Sequence, residues 1–394
     1  MTAFRVFWVA QAVSRFGDPI TLIALTTITY RATVSAFYTA LAVVIATVPS
    51  AVFGFLGGAL ADRLGARSAM IVADSLRMVL IAAVPVALAA GLPLAVPYLC
   101  VFAAAVCAAV FNPARISMVP QLVRPERLTE ANSRLGSTDR IVEILGSVVA
   151  GLLVASLGAG AFYFDALTFG ISALILSRIR EPNPSTSASW SLKSDATSGL
   201  RFLLDSPTLR ANTVFSVLAQ LALPIVNGLT PVLLIRRFAA GNIDVGAQLF
   251  GIAEAALAAG AATAGLLLPE YLGRTRKGHI LVSGFGLYGV LLIALAGAGS
   301  FITAVVIFFA MGVANILFLV PNVTISQEFT PAELRARVAG ARLALLNLSW
   351  LPVFAISGYL ADRIEAAPLI AVGGLITLVT AFGGWLWPTV RDVA

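Results

Sequence analysis

The sequence predicts an all-α membrane protein of twelve transmembrane helices in two six-helix bundles. Three observations predict it: the composition, the length of the apolar runs, and a repeat between the two halves of the chain. Hydrophobic residues make up 59% of the 394 positions, charged residues make up 11%, and the mean hydropathy is +0.95. Soluble domains carry about a quarter charged residues. A soluble fold of this length could not bury so much apolar surface, so lipid must cover it.

Twelve apolar runs have the length that a membrane-spanning helix needs, which is about 20 residues. Turn or charge signals separate them. The first six lie at roughly 4–30, 36–60, 69–90, 94–112, 135–157 and 161–179. The second six lie at roughly 209–235, 246–269, 279–297, 300–320, 338–361 and 366–387.

The stretch between the sixth and seventh runs differs in composition. Glu181–Gly199 contains two Pro and many Ser and Thr residues, which is typical of a linker. Leu200–Arg210 then predicts a short amphipathic helix at the membrane face. The predicted domains are a six-helix bundle over 1–180, a cytoplasmic linker with its helix over 181–207, and a second six-helix bundle over 208–394.

The two groups of six runs repeat each other. Gln121–Leu128 matches Gln327–Leu334 at a constant offset of 206 residues. A charged hairpin after the second run has a weaker counterpart in Glu270–Arg276, at an offset of 208. Two such halves imply a pseudo-twofold axis along the membrane normal and a substrate cavity between the halves near the midplane.

Basic residues fall mainly on one side of the predicted membrane. With the N-terminus assigned to the cytoplasm, loops and tails on that side hold 18 of the 26 Lys and Arg residues, outer loops hold four, and four lie within or near spans. Cytoplasmic loops carry such an excess. We therefore expect a multi-pass protein of the cell membrane with both termini in the cytoplasm. No basic run is interleaved with stacking aromatics, so the net charge of +7 does not indicate a nucleic-acid partner.

The residues of metal and thiol chemistry are scarce. His279 is the single histidine, and Cys100 and Cys107 are the two cysteines. Seven residues along a helix would separate the cysteines by about 10 Å, too far for a disulfide. The sequence contains no nucleotide-binding P-loop. We expect no metal, no cofactor and no enzymatic activity.

A charged hairpin joins the second and third runs, where residues 57–67 read Gly-Gly-Ala-Leu-Ala-Asp-Arg-Leu-Gly-Ala-Arg. The hairpin resembles the signature between the second and third helices of the major facilitator superfamily. With the twelve runs and the loop repeat, the resemblance covers nearly the whole chain. It implies a membrane transporter. The residues of the predicted cytoplasmic gate motif are Gly58, Asp62, Arg63, Gly65 and Arg67.

The hairpin is predicted to latch the cytoplasmic side of the transporter. Asp62 can pair with Arg63 or Arg67, or face the positive N-terminus of a helix in the other half. Such contacts would hold that side closed while the cavity opens outward, and the glycines permit the tight turn. The alternative is a solvated loop that sets topology and has no conformational role.

Further segments resemble one branch of the superfamily, that of macrolide-efflux and enterobactin-exporter-like proteins. They are Asn112–Arg115, Val119–Val123, Leu128–Asn132, Gly146–Gly151 and Asp165–Phe169. The branch consists mostly of bacterial drug or siderophore exporters, usually driven by proton antiport.

The chain departs from better-studied antiporters in two places. Their fifth helix usually has Gly-Pro where this chain has Gly146-Ser147, and their fourth helix often has a membrane-embedded Arg where this chain has only Arg115, at the cytoplasmic end. With Gly151, the pair Gly146-Ser147 forms a stripe of small residues. We expect this helix-packing motif to allow close approach and sliding of helices.

Asp18 is the strongest candidate for proton coupling, with Arg15 one helical turn earlier. Ionisable residues within a membrane are costly and are functional by default. A partly dry cavity favours the protonated carboxylate and pairing with Arg15 favours the ionised one, so alternation of the two would bind and release the coupling proton. The alternative is a permanent structural pair. Pro19 follows and favours a break or kink.

Other charges within or near the runs are weaker candidates. Glu254 has no local cation, and we assign it a role with a proton or a cationic substrate. Asp74 and Arg77 have the i,i+3 spacing of an ion pair, for which we favour a structural role over a role in the gate or in transport. A further charged cluster belongs either to the cytoplasmic gate or to the membrane interface. Its members are Asp139, Arg140 and Glu143.

Neutral polar side chains and an aromatic side chain within the runs are candidates for lining the substrate cavity, although each could also join helices to one another. They are Gln11, Gln220, Asn227, Asn315, Asn347 and Trp350.

The predicted function is secondary active transport by alternating access: proton-coupled export of a lipophilic small molecule such as a drug, a macrolide or a siderophore. No residue fixes the direction, so an importer or uniporter of a small metabolite is one alternative, and a non-transporting membrane sensor is another. The expected partners are the substrate, protons and the lipid bilayer, and the expected state is a monomer. Arg supplies 24 of the 26 basic residues, which indicates a bacterial source.

Overall fold

The computed structural model describes residues 2–124, 127–179, 192–267, 276–331 and 334–393. Helices make up most of this part of the chain, and it contains no strand. The helices of the first half are α1 Thr2–Thr33, α2 Ala36–Leu64, α3 Ala66–Ala89, α4 Ala95–Leu122, α5 Leu128–Leu157 and α6 Ala161–Ser177.

The second half begins with a helix before its first predicted span. Its helices are α7 Leu192–Asp205, α8 Pro207–Ala219, α9 Ala222–Leu233, α10 Ile243–Leu267, α11 Lys277–Gly297, α12 Phe301–Glu328, α13 Arg335–Ala361, α14 Ala366–Leu386 and α15 Pro388–Arg391.

Each of the twelve predicted spans coincides with a helix or, for the seventh, with a pair of helices. Among the described residues, nine helical segments are long and apolar enough to cross a membrane. One of them, Arg134–Ser177, contains the fifth and sixth spans, so the nine segments cover spans three to twelve. The first two spans correspond to α1 and α2. The predicted all-α fold is confirmed.

Prolines within two of the predicted spans have different effects on the helix. The seventh span is interrupted between α8 and α9 because Pro224 has no N–H to donate to the carbonyl of Gln220, four residues earlier. After α9 the chain makes a π-helical turn over Leu234–Phe238. In contrast, α1 is not broken at Pro19 and continues to Thr33.

The helix predicted within the linker lies a little earlier than Leu200–Arg210. It is α7, which ends at Asp205 because Ser206 then caps α8: its hydroxyl accepts a hydrogen bond from the Leu209 amide at 3.5 Å. Leu203 of α7 is buried together with Leu209 and Val338. This small apolar cluster fixes α7 on α8 and α13.

The contacts between helices divide the chain into two compact units. The first unit comprises Met1–Val34, Ala42–Ser189 and Asn242–Ala255, and the second comprises Ser35–Leu41, Trp190–Gly241 and Ala256–Ala394. The first turns of α2, up to Leu41, are assigned to the second unit, and the rest of α2 is assigned to the first. The first half of α10, up to Ala255, is assigned to the first unit, and the rest of α10 is assigned to the second.

Both units use the same order of helix packing. In the first unit α3 packs on α4 and α6, and α1 packs on α5 and α6. In the second unit α11 packs on α12 and α14, and α9 packs on α13 and α14. Spans one to six and seven to twelve therefore repeat each other in packing as well as in sequence.

Candidate functional site

A cavity of about 600 Å³ lies in the first unit, among α1, α2, α3, α4, α5, α6 and α10. Its wall combines apolar side chains with an unusual number of charged ones for a membrane-spanning bundle. The charged side chains of the described residues that line it are Arg15, Arg77, Arg140, Asp18, Asp139, Glu143, Asp165 and Glu254. Acidic groups outnumber basic ones in this wall.

Asp18 lies between two guanidinium groups rather than beside Arg15 alone. Its carboxylate is 2.5 Å from Arg77 Nη2 and 3.5 Å from Arg15 Nη1. Arg15 also donates to Asn112 Oδ1 at 3.1 Å. The side chain of Asp18 is 33% exposed, so it is held by ion pairs and still faces the cavity.

Arg77 is shared between two carboxylates. The predicted pair with Asp74 is present, with 3.6 Å between Arg77 Nη1 and Asp74 Oδ1, and Arg77 also reaches Asp18. The Phe169 ring lies under the guanidinium, 3.7 Å from Arg77 Cζ. Asp74 is fully buried and accepts a hydrogen bond from the Ser14 hydroxyl at 3.4 Å. Arg77 thus connects the cavity wall with the interior of the unit.

Asp165 is a site residue that sequence reasoning used only as part of a family resemblance. It is fully buried in α6 and accepts hydrogen bonds from the hydroxyls of Thr21 and, at 3.4 Å, Thr168. A side chain at Gly17 would collide with the Asp165 carboxylate, so glycine makes room for it. A lone carboxylate in the apolar sixth span was the signal that could have identified this residue.

The cluster predicted near the start of α5 lines the same cavity. Asp139 lies 2.5 Å from Arg115 of α4, and Arg140 lies 2.9 Å from Glu143, both measured between nitrogen and oxygen. The Arg115–Asp139 pair is the more enclosed of the two. Arg115 therefore contacts a residue that lines the cavity, Asp139.

Glu254 reaches the first unit through the first half of α10. It is half-buried and lines the cavity. Within the described chain its carboxylate has no hydrogen-bond or ion-pair partner. Close packing of Gly251, one turn earlier, against the backbone carbonyl of Ser147 brings this part of α10 to α5.

The small residues of α5 pack against two different helices. A Cβ atom at Gly146 would lie 2.9 Å from the Phe16 carbonyl oxygen of α1, and one at Gly151 would lie 2.8 Å from the Ala247 carbonyl oxygen of α10. The Ser147 hydroxyl is buried and donates to the carbonyl of Glu143 at 2.8 Å. Larger side chains at either glycine would push a neighbouring backbone away.

The hairpin between α2 and α3 is described only in part. The surroundings of Gly58 and of the Asp62 side chain lie outside the described part of the structure. Arg63 is exposed. Gly65 joins the two helices with a φ of +82°, a conformation that favours glycine.

Arg67 holds the end of α6. Its Nε donates to the carbonyl of Leu176 at 3.2 Å, and its Nη2 donates to the carbonyl of Ser177 at 2.6 Å. The last carbonyls of a helix lack partners within the helix. Arg67 therefore ties the hairpin to the C-terminus of α6.

The neutral candidates for the substrate cavity lie elsewhere. Gln11 is 1% exposed, Gln220 and Asn347 are also buried, Asn315 and Trp350 are half-buried, and Asn227 is exposed. Asn347 donates to the carbonyl of Leu343 in its own helix at 2.8 Å. The lining of the 600 Å³ cavity includes none of these six among the described residues. The neutral polar residues that do line it include Ser14, Thr21 and Asn112, which the sequence did not single out as cavity candidates.

A twelve-helix membrane protein whose embedded charges line a cavity has the architecture of a secondary transporter. The chain belongs to the major facilitator superfamily, whose family model matches residues 7–352.

Similar proteins cover nearly the whole chain. It is 25% identical to the uncharacterized MFS-type transporter YfiS of Bacillus subtilis (strain 168), over 95% of this chain and 91% of that one. It is 24% identical to macrolide efflux protein A of Streptococcus pyogenes, over 96% of this chain and 94% of that one. A crystal structure of the nucleoside transporter NupG has a TM-score of 0.78 at 14% identity, covering 96% of this chain and 99% of that one. The structural likeness shows the shared fold.

Proposed function

We propose that the protein exports a lipophilic small molecule in exchange for protons, as a member of the macrolide-efflux and enterobactin-exporter-like branch. Family membership supports transport, and the full-length similarity to macrolide efflux protein A supports export and a lipophilic substrate. The distribution of basic residues predicts that both termini lie in the cytoplasm. We further propose that the protein is a monomer in a bacterial cell membrane.

The observation that carries proton coupling is the position of Asp18 between Arg77 and Arg15 at the cavity wall. Asp74 and Asp165 are fully buried, whereas the Asp18 side chain is 33% exposed and can exchange a proton with cavity water. Of the three carboxylates Asp18, Asp74 and Asp165, Asp18 therefore combines access to cavity water with a close ion pair to Arg77.

Sharing of Arg77 allows Asp18 to be protonated reversibly. Removal of one partner of a buried ion pair costs about 3–5 kcal/mol, because the remaining charge is uncompensated. When Asp18 takes up a proton, Arg77 still has Asp74 at 3.6 Å, and Arg15 still has Asn112 at 3.1 Å. The network thus accepts either charge state of Asp18, as a proton carrier requires.

Glu254 is suited to a different step. A half-buried carboxylate without a protein cation is favourable when it is protonated or when a cationic group of the substrate lies beside it. We assign Glu254 to recognition of a basic, lipophilic substrate or to a second proton. Gate closure on the cytoplasmic side is assigned to the hairpin of Gly58, Asp62, Arg63, Gly65 and Arg67.

The test uses efflux-deficient cells and a panel of drugs and siderophores. Wild type should confer resistance to at least one compound, and vesicles should accumulate that compound when a pH gradient is imposed. Asp18→Asn should lose the accumulation and retain substrate binding. Asp205→Asn, on the exposed helix α7, is the matched control and should behave as wild type.

Four outcomes would contradict the proposal. Full gradient-driven transport by Asp18→Asn would exclude Asp18 as the proton carrier. Accumulation in the opposite direction would indicate an importer, and transport without a response to the gradient would indicate a uniporter. Absence of flux for a protein that still binds ligands would indicate a sensor.

A further inference from the structure

Arg342 is a buried cation in the second unit, on α13, and it is 7% exposed. It donates from Nη1 to the Asn322 carbonyl at 3.0 Å, from Nη2 to Ser216 Oγ at 3.0 Å, and from Nη2 to Asn322 Oδ1. All of these acceptors are neutral. No carboxylate of the described chain lies within 4.0 Å of this guanidinium.

The arginines of the first unit's cavity are different. Arg15 and Arg77 pair with Asp18, Arg115 pairs with Asp139, and Arg140 pairs with Glu143. A charge within a membrane is strongly unfavourable without a counter-charge. Neutral oxygens solvate the guanidinium of Arg342, but they do not cancel its charge. The described residues supply no counter-charge, and a bound anion would supply one.

Two donors in this part of the second unit are unused. Arg342 Nε is buried and has no hydrogen-bond partner. The hydroxyl of Thr213, which is 4% exposed, is also buried without a partner. Thr213 lies one turn before Ser216 on α8, so both hydroxyls are on the face that carries the Arg342 contact. A cation with free N–H and O–H donors is the arrangement that binds an anion.

We propose that Arg342 and Thr213 form a binding site for one compact anionic group with the chemistry of chloride, a carboxylate or a phosphate. The group comes either from a soluble ion or from the headgroup of an anionic lipid. The Arg342 guanidinium supplies the charge and the unpartnered Nε–H, and the Thr213 hydroxyl supplies a neutral donor from α8. The Ser216 hydroxyl is not a donor to this group, because it donates its proton to the Asn212 carbonyl at 2.6 Å. This site is independent of proton coupling and of the direction of transport.

The experiment is thermal unfolding of the purified full-length protein in neutral detergent, in a low-salt zwitterionic buffer that contains no chloride, phosphate or carboxylate. Chloride, formate and inorganic phosphate are titrated separately, and nanodiscs containing phosphatidylglycerol are compared with nanodiscs of phosphatidylcholine. Wild type should show a saturable rise in Tm of about 2–4 °C with at least one of these anions. A rise with a soluble anion identifies an ion, and a rise with phosphatidylglycerol alone identifies a headgroup.

Substitutions test whether the rise in Tm comes from an anion bound at Arg342. Arg342→Gln should abolish it. Thr213→Val, which keeps the charge, should raise the half-saturating concentration about tenfold, because it removes one hydrogen bond to a charged group. Arg201→Gln, on the exposed face of α7, is the control and should respond as wild type.

The proposal is wrong if wild type responds to none of the four anions. It is also wrong if Arg342→Gln keeps the wild-type response. Where Arg342→Gln fails to fold, Thr213→Val decides, and an unchanged half-saturating concentration in that variant overturns the site.

Discussion

The two units repeat one order of helix packing but differ in their polar interiors. In the first unit, carboxylates and guanidiniums pair with one another around a cavity of about 600 Å³. In the second unit, Arg342 is surrounded by neutral oxygens, and the nearby helices are joined by aromatic contacts such as Phe285 stacked on Phe318, with centroids 4.2 Å apart. The same order of helix packing thus accommodates ion pairs in one unit and a cation among neutral groups in the other. The proposed proton coupling is assigned to the first unit because its charges are paired.

Loss of Arg77 should lower the free energy of unfolding more than any other substitution considered below. Arg77→Gln leaves the fully buried Asp74 without its cation and should lower the free energy of unfolding by about 3 kcal/mol. The measurement is denaturant unfolding of the purified protein. Arg140→Gln, whose pair with Glu143 is far more exposed, should cost about 0.5 kcal/mol. Equal losses in the two variants would contradict the proposed importance of the buried pair.

A smaller effect is expected where helices approach closely in the first unit. Gly251→Ala places a methyl group against the Ser147 carbonyl and should destabilise the protein by about 1–3 kcal/mol. The same substitution at Gly383 of the second unit meets nothing within 4 Å. There it should be neutral, or stabilising by about 0.5–1 kcal/mol. A shift in Tm of the same sign and size for both variants would show that the contact at Gly251 is not tight.

Arg342 is a buried arginine whose partners differ from those of Arg77, and Arg342→Gln should therefore have a smaller effect on stability. Its partners are neutral, so its removal leaves no buried carboxylate uncompensated. Without an added anion the loss should be about 1–2 kcal/mol, less than for Arg77→Gln. Unfolding of the two variants side by side measures the difference. A loss as large as that of Arg77→Gln would place an acidic partner beside Arg342.

The smallest effect concerns Asp392, in the last turn of the second unit. Hydrogen bonds from Arg391, at 2.9 Å, hold the pKa of Asp392 below its usual range. Because the folded-state pKa is lowered, the contact contributes stability above the unfolded pKa of about 3.9 and loses it as pH falls through the folded value. NMR titration of the labelled carboxyl should give a lower midpoint in wild type than in Arg391→Gln. Equal midpoints would contradict the contact.

Most of the fold followed from hydropathy. A span of about 20 apolar residues is a local property of the sequence, and the predicted spans coincide with helices. The break between α8 and α9 was missed because the apolar run continues through it, although Pro224 was visible. The linker helix was displaced because Ser206 and Pro207 act as a helix start rather than as part of a longer helix.

The candidate site was predictable only in part. Asp18, Asp74 and Arg77 are conspicuous as charges in apolar runs, and the i,i+3 spacing correctly indicated the Asp74–Arg77 pair. The contact of Asp18 with Arg77 joins residues 59 positions apart, and no local spacing reveals it. The partners of Gly146 and Gly151 were likewise invisible, because they depend on how α5 packs in three dimensions.

Measurement of proton movement tests whether the charged network of the first unit carries the coupling proton. A pH-sensitive dye enclosed in proteoliposomes would report proton flux when a transported compound is added. Wild type and Asp205→Asn should move protons opposite to the compound, and Asp18→Asn should move the compound down its gradient without protons. Undiminished proton flux in Asp18→Asn would contradict the claim.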